Sequence, residues 1–148
     1  MAKKYFQERA YSKDFPDRTD VVRVDALPIK KDQFIKLVCI SINSPKTQGV
    51  AIAVTAGTGF VEYRNRRSKG ICIWWGTEPK EVLIKCHSVP GLLAVYNAYI
   101  DERGMPASSM YKSGMLVEEQ GEKRIYHCND VNDGDIRFDK LVFSVEKI

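Results

Sequence analysis

The sequence lacks most of the features by which membrane and secreted proteins are recognised. No run approaches the ~18 apolar residues of a membrane-spanning helix, and residues 1–20 contain no apolar segment of the kind that a signal peptide requires. We therefore expect a protein that is not an integral membrane protein and that, as the sequence stands, is cytoplasmic. Export by a leaderless route stays open.

Catalytic and metal-binding motifs are also missing. There is no G-x-S-x-G nucleophile motif and no C-x-x-C pair among Cys39, Cys72, Cys86 and Cys128, so we expect free thiols. The two histidines adjoin cysteines, at Cys86-His87 and His127-Cys128, but neighbours on a strand point to opposite faces. Because zinc needs three or four protein ligands, a hydrolase or metal enzyme built around His87 or His127 is the least favoured interpretation.

The composition is that of an ordinary soluble domain. The chain has 148 residues, of which 44% are hydrophobic and 28% charged, and one domain with one core is expected at this length. The net charge of +4, from 23 basic and 19 acidic residues, is a small excess for a dedicated nucleic-acid binder. The sequence as a whole therefore gives no strong nucleic-acid signal, and the question stays open for local patches.

Short apolar segments with a period near two recur about every ten residues. Each is rich in β-branched and aromatic residues and is bounded by Gly, Pro, Asn or Asp, which is typical of strands. The ten segments are 21–27, 34–42, 49–56, 59–64, 70–75, 81–88, 92–100, 114–119, 123–128 and 140–147. They predict an all-β fold, most simply a two-sheet sandwich or jelly roll.

The first twenty residues are polar but contain several aromatic side chains. We treat residues 1–20 as an N-terminal arm and residues 21–148 as a single β-sandwich domain. The aromatic residues are too many for a solvated tail, which predicts that the arm docks on this domain or exchanges between copies. They are Tyr5, Phe6, Tyr11 and Phe15.

A basic loop and two tryptophans lie between two predicted strands in "YRNRRSKGICIWW", residues 63–75. The loop carries Arg64, Arg66, Arg67 and Lys69, and it is followed by Trp74 and Trp75. Cations beside aromatic rings suit an anionic glycan or another anionic surface, whereas a plain hairpin tip with one core tryptophan is the structural alternative. The segment 96–114, which includes Tyr111, is a second connection long enough to carry binding residues.

The stretch "YHCNDVNDGDIRFDKLVF", residues 126–143, is dense in oxygen ligands. The candidates for calcium are Asn129, Asp130, Asn132, Asp133, Asp135 and Asp139. The EF-hand pattern does not fit, since Gly134 falls at the fifth position and Leu141 at the twelfth. A tight β-connection without a ligand is the alternative, because Asn and Asp favour turns.

The end of this stretch, "DIRFDKLVF", resembles the closing motif of bacterial β-sandwich modules that end in a D-x-D-F-N-D-L-V-F pattern. The resemblance covers about a tenth of the chain and implies a calcium-associated module of adhesion or carbohydrate recognition. Arg137 and Lys140 stand where the pattern has Asp, and cations at these positions would weaken a divalent site. The architecture can carry over without the calcium.

These observations favour a non-catalytic recognition module that binds a carbohydrate or an anionic surface through loops at one end of the sandwich. The residues expected to bind are Arg64, Arg66, Arg67, Lys69 and one of Trp74 and Trp75, and the loop 129–139 is a second candidate region. The competing interpretation is a structural or assembly subunit, such as a phage, secretion-system or toxin-related protein, that oligomerises through its N-terminal arm.

Overall fold

The protein is all-β in the part of the chain that the structure describes. The computed structural model describes residues 9–54, 57–89, 91–108, 111–130 and 136–148. All helices and strands assigned within these ranges are β-strands, with no helix among them. The thirteen strands are β1 Ala10–Tyr11, β2 Val22–Pro28, β3 Gln33–Ile42, β4 Gln48–Ala53, β5 Thr58–Tyr63, β6 Arg66–Ser68, β7 Gly70–Trp74, β8 Glu81–Val89, β9 Leu92–Ile100, β10 Pro106–Ala107, β11 Gly114–Gln120, β12 Lys123–Asn129 and β13 Leu141–Lys147. No helix within these ranges is long and apolar enough to cross a membrane.

The strand count differs from the expected ten because of three short strands. Each of the ten predicted segments overlaps a strand of the structure, and β1, β6 and β10 are additional. These additional strands have two or three residues each, which is too short to show a period in the sequence. The prediction of an all-β fold is confirmed.

The strands form one sheet that is nearly closed and barrel-like, where two separate sheets were expected. Their order is β6-β5-β8-β3-β13-β12-β11-β2-β9-β4-β7, with β1 on β2 and β10 on β9. Strand β2 joins the two halves, because Val22 pairs with β11 whereas Asp25–Pro28 pairs with β9. The ends of the sheet, β6 and β7, are neighbours in the chain, and the Lys69 carbonyl between them accepts the Val54 amide at 2.7 Å.

The core lies inside this curved sheet and follows the alternation of the strands. In β8, for example, Val82, Ile84 and Cys86 are buried while the residues between them are more exposed. Tyr126 and Phe143 stack across β12 and β13 with ring centroids 4.7 Å apart. Stacked aromatic pairs stabilise a fold by more than the burial of their surface area alone.

A buried ionic cluster occupies the corner where β2 changes partners. Asp25 is fully buried and accepts hydrogen bonds from Arg9 Nε at 2.7 Å, Arg124 Nη1 at 2.8 Å and the Tyr126 hydroxyl at 2.7 Å. Burial, and then the Asp25 charge, raise the pKa of Tyr126 well above its ordinary value. The carboxylate at the corner is thus matched by cations and donors, which a buried charge requires.

Residues 9–20 lie against the rest of the chain. Strand β1 pairs with β2, Ser12 N donates to the Val21 carbonyl at 2.8 Å, and Phe15 is buried beside Phe138 with ring centroids 5.9 Å apart. This part of the predicted arm therefore docks on its own domain. Exchange of the arm between copies stays a prediction.

Candidate functional site

The basic segment forms a tight hairpin between β5 and β6. Arg64 and Asn65 occupy its two-residue turn with positive φ angles of 52° and 64°, the geometry that suits the right-handed twist of paired strands. Tyr63 pairs with Arg66, and Glu62 pairs with Arg67. The hairpin therefore places its cations on short, regular backbone instead of in a loose loop.

Two of the four cations are neutralised by neighbouring carboxylates. Arg67 Nε lies 2.6 Å from Glu62 Oε1, and its guanidinium stacks over Phe60 at 4.2 Å. Arg64 Nη2 lies 2.9 Å from Glu78 Oε2, which also accepts the Tyr63 hydroxyl at 3.1 Å. Burial, and then this hydrogen bond, raise the pKa of Tyr63.

The other two cations, Arg66 and Lys69, are exposed and make no ion pair with any residue that the structure describes. Their charges are therefore available to a ligand. An exposed guanidinium binds carboxylate and phosphate or sulfate groups with two parallel hydrogen bonds, which adds geometric specificity.

The two tryptophans lie on opposite faces, as their adjacent positions predict. Trp75 is buried in the core at 4% exposure, whereas Trp74 is half-buried on the outer face. Trp74 pairs with Gly49 of β4, and a Cβ atom on Gly49 would come within 2.6 Å of the Trp74 ring. The Trp74 indole thus lies over a glycine. Of the two tryptophans predicted for the site, Trp75 belongs to the core and Trp74 faces outward.

An uncharged cleft of about 280 Å³ adjoins Trp74 on this outer face. Its walls are Trp74 and Tyr96, its floor is formed by the small residues Ala51 and Ala98, and residues 106–108 close one side. The register explains this arrangement, because Ala51 of β4 pairs with Cys72 of β7 on one side and with Tyr96 of β9 on the other.

A second cleft, of about 430 Å³, lies at the gap between the two ends of the sheet. Its lining is polar on one side and apolar on the other, and consists of Tyr63, Arg64, Arg66, Glu78 and the β7 residues 71–73. Cys72 lines both clefts. An aromatic surface and a basic surface therefore meet at one residue.

The edge of β7 that faces this gap also offers backbone groups. Trp75 N donates to the Gln48 carbonyl of β4 at 3.0 Å, and this bond shows which residues of β7 direct their backbone N–H and C=O groups toward β4. Along an antiparallel strand, every second residue directs its N–H and C=O groups toward the same neighbouring strand. Like Trp75, Ile71 and Ile73 therefore direct these groups toward β4. The backbone N–H and C=O of Cys72 consequently face the gap, beside the arginines.

The predicted calcium residues divide into two groups. Asn132, Asp133 and Asp135 lie outside the described residues. Among the others, Asn129 and Asp130 are fully buried, while Asp139 is exposed and accepts a hydrogen bond from Asn43 Nδ2 at 3.3 Å.

The buried members of this group make internal contacts. The Lys140 ammonium lies 3.2 Å from Asp130 Oδ1, and Asn129 Nδ2 donates to the Lys112 carbonyl at 2.7 Å. Arg137 N donates to Asn129 Oδ1 at 3.2 Å, and Arg137 Nη2 donates to the Asn43 carbonyl at 3.2 Å. Asp130 therefore already has a cation, and calcium there would have to displace Lys140.

The histidines and cysteines do not assemble into a site within the described ranges. His87 on β8 stacks on Phe60 at 5.7 Å, and His127 on β12 lies 3.2 Å from Glu118, whose pKa it lowers. Strands β3 and β13 separate β8 from β12. Burial raises the pKa of Cys72 and Cys86 to about 12, and the described residues include no group of three or more His, Cys, Asp or Glu side chains that could hold a metal.

Sequence reasoning missed Glu78 and Tyr96 as parts of this surface. Glu78 follows β7 in the polar segment "GTEPK", where nothing marks it as a partner of Tyr63 and Arg64. Tyr96 reaches Trp74 only because β4 lies between β7 and β9, and this strand order cannot be read from periodicity.

The chain matches no protein-family model, no curated protein and no solved structure. The geometry of the two clefts is therefore the guide to function.

Proposed function

We propose that this protein is a non-catalytic recognition domain that binds an acidic carbohydrate on the outer face around β7. The observation that carries the proposal is the junction of the two clefts at Cys72, one aromatic and uncharged, the other basic. Ligand sites commonly combine an apolar wall with a few placed polar groups, and an acidic sugar presents the same combination.

Each wall has a defined task in this proposal. Trp74 and Tyr96 contact the apolar face of a sugar ring above Ala51 and Ala98. Arg66, which has no ion pair among the described residues, binds the carboxylate or sulfate group of the sugar. Lys69 adds positive charge at the rim, while Arg67 is held by Glu62 and contributes less.

Two further points support the proposal. The closing motif resembles that of modules associated with carbohydrate recognition, and this resemblance points in the same direction. In addition, β2 divides the sheet into two halves at Val22 and Asp25. We infer a two-layer sandwich from this division, with the ligand on the outside of the layer formed by β7, β4 and β9.

The test compares tetragalacturonate with its uncharged methyl ester by isothermal titration calorimetry. We expect the acid to bind and the ester to bind at least tenfold more weakly, because only the acid can pair with Arg66. Trp74→Ala and Arg66→Ala should each weaken binding of the acid, whereas Phe34→Ala and Lys31→Ala, which remove a partly exposed aromatic ring and an exposed cation elsewhere, should not. The proposal is refuted if the Trp74 and Arg66 variants bind tetragalacturonate as tightly as the Phe34 and Lys31 variants do. It is also refuted if the wild-type protein binds neither tetragalacturonate nor a heparin tetrasaccharide.

An assembly role is the second candidate, and the open sheet ends favour it. Strands β6 and β7 each have a partner on one side among the described residues, and free strand edges pair readily with other chains. Light scattering of the full chain and of a variant lacking residues 1–8 distinguishes the two roles. A stable oligomer would favour assembly, through the arm if the deletion dissociates it and through the strand edges if it does not, and a monomer in both cases would favour the recognition domain.

A further inference from the structure

A third cleft forms where the N-terminal residues meet the segment that precedes β11. It has a volume of about 450 Å³ and is lined by Tyr11, Lys13, Asp14, Arg23 and Tyr111. This volume lies within the range of roughly 300–1,000 Å³ that is usual for small-molecule sites. Residues near the N-terminus and Tyr111, which is remote from them in the sequence, contribute to it, and it shares no lining residue with the clefts around β7.

The backbone around this cleft is held in place by hydrogen bonds. Asp14 Oδ2 accepts the Lys112 amide at 3.0 Å and thereby ties the two walls together across 98 positions of sequence. The Lys112 carbonyl in turn accepts Asn129 Nδ2 at 2.7 Å, and Phe15 is buried next to this contact. Walls that are fixed before a ligand arrives reduce the entropy cost of binding.

Both tyrosines of the cleft expose their rings. Tyr11 is 49% exposed and Tyr111 is 58% exposed, whereas Tyr99 and Tyr126 are fully buried in the same fold. Exposed aromatic side chains on a fixed backbone offer a large contact area with little loss of conformational freedom. They can stack on a planar ring.

The charges beside these rings favour an anion. Lys13 and Arg23 line the cleft and make no ion pair with any described residue. Asp14 is the one acidic residue of the lining, and one of its oxygens is already used by Lys112 N. Lys112 adds a further positive charge, with its Nζ atom 5.6 Å from the centre of the Tyr111 ring.

We infer that this cleft binds a nucleotide unit, with a tyrosine stacked on the base and with Lys13 and Arg23 holding the phosphate. Stacking platforms beside cations are the means by which proteins bind single-stranded nucleic acid and its components without reading sequence. The small net charge of the whole chain is compatible with such a local patch. The inference is independent of the carbohydrate site, because the two sites share no residue.

The unit can belong to a free nucleotide or to a single strand, and titrations of the full chain with four ligands separate these sources. The ligands are AMP, adenosine, inorganic phosphate and a single-stranded adenine hexanucleotide. We expect AMP to bind more tightly than adenosine or phosphate, because it alone of the three engages both the rings and the cations. A hexanucleotide that binds more tightly than AMP identifies a nucleic-acid strand as the source, and equal affinities identify the free nucleotide.

Variants assign the binding to the cleft. Tyr111→Leu should weaken the binding of AMP by about 5- to 150-fold, which is the range for loss of one base stack. Arg23→Gln should weaken the binding of AMP and leave the binding of adenosine unchanged. The thermal stability of each variant is measured alongside, and Tyr111 is exposed enough for its replacement to leave the fold intact. Trp74→Ala and Arg66→Ala are the matched controls from the carbohydrate site and should leave AMP binding unchanged.

Two results would overturn the inference. One is a folded wild-type protein that binds neither AMP nor the hexanucleotide at millimolar concentration. The other is AMP binding that survives both Tyr111→Leu and Arg23→Gln. Neither result bears on tetragalacturonate, so this inference and the proposed carbohydrate function can fail separately.

Discussion

The Lys140 ammonium and the Asp130 carboxylate form a buried ion pair at 3.2 Å, immediately before the last strand. Ser44 Oγ and Gln48 Nε2 donate to the second carboxylate oxygen at 2.7 and 3.1 Å. The protein thus supplies its own cation to a residue that the sequence offers as a calcium ligand.

Lys140→Met should destabilise the fold strongly. The substitution removes the ammonium that lies 3.2 Å from the buried Asp130 carboxylate, and breaking a buried pair in this way costs about 3–5 kcal/mol. Urea denaturation followed by circular dichroism measures the change in the free energy of unfolding. The double variant Asp130→Asn with Lys140→Met should recover part of the loss, and Lys36→Met, which breaks the surface pair with Glu146, should cost about 1 kcal/mol at most. A Lys140→Met cost no larger than the Lys36→Met cost would contradict the structural role of the pair.

Calcium and a chelator should leave the melting temperature of the wild-type protein unchanged. The reason is that both oxygens of Asp130 are already bonded and Asp139 is exposed. Differential scanning fluorimetry with calcium chloride or EGTA measures this, since a ligand that binds the folded state raises its apparent stability. A rise with calcium that EGTA reverses would support the calcium interpretation of residues 129–139 instead.

Asp25→Ala should cost about 1–3 kcal/mol of stability, because the buried Tyr126 hydroxyl loses its acceptor, whereas Arg9 and Arg124 keep their ion pairs with Glu119. Asp20→Ala is the control, since Asp20 is exposed and pairs with Arg18 at the surface. Chemical denaturation of both variants gives the comparison. Similar midpoints for the two would mean that the corner cluster is energetically unimportant.

Stability should fall as the pH rises above about 9. The ordinary pKa of a thiol is 9.0, while burial raises the pKa of Cys72 and Cys86 to about 12 in the folded protein. Between these values the unfolded chain has released protons that the folded chain still holds, so the free energy of unfolding decreases with pH. Urea midpoints measured from pH 8 to 11 test this, and the double replacement of Cys72 and Cys86 by Ala should reduce the slope, the remainder coming from Cys39 and Cys128, whose pKa burial also raises. An unchanged slope in that variant would assign the effect to other groups, such as Tyr126.

Gly49→Ala should displace the Trp74 ring. An added Cβ would lie 2.6 Å from the ring, closer than packed atoms tolerate, and overpacking of this kind costs typically 1–3 kcal/mol. Tryptophan emission reports the displacement, with Trp74→Phe used to subtract the signal of buried Trp75. If the Trp74 emission of Gly49→Ala matches that of the wild type, the placement of the indole over Gly49 is wrong.

The sequence was sufficient to locate the main strands, because their evidence is local. Alternation and bounding turn residues identify segments such as β3 and β8 without knowledge of their neighbours. The order of the strands is different in kind. Strand β13 pairs with β3 through Phe143 and Cys39, residues about a hundred positions apart, and no local pattern specifies such a pair.

Only part of the candidate site could be predicted, because only part of its evidence is local in the sequence. The opposition of Trp74 and Trp75 follows from the period of a strand, and the structure places Trp75 inside and Trp74 outside. The neutralisation of Arg64 by Glu78, and the approach of Tyr96 to Trp74, depend on contacts between separate elements. The pairing of Tyr11 with Tyr111 in one cleft depends in the same way on tertiary structure.

The position of β13 has a consequence for biosynthesis. This strand follows the other twelve in the chain, yet it lies between β3 and β12 in the interior of the sheet. Until Leu141–Lys147 has been synthesised, β3 and β12 each expose an apolar strand edge, and such edges promote aggregation. Premature termination before Leu141 should therefore yield aggregates instead of a weakened monomer.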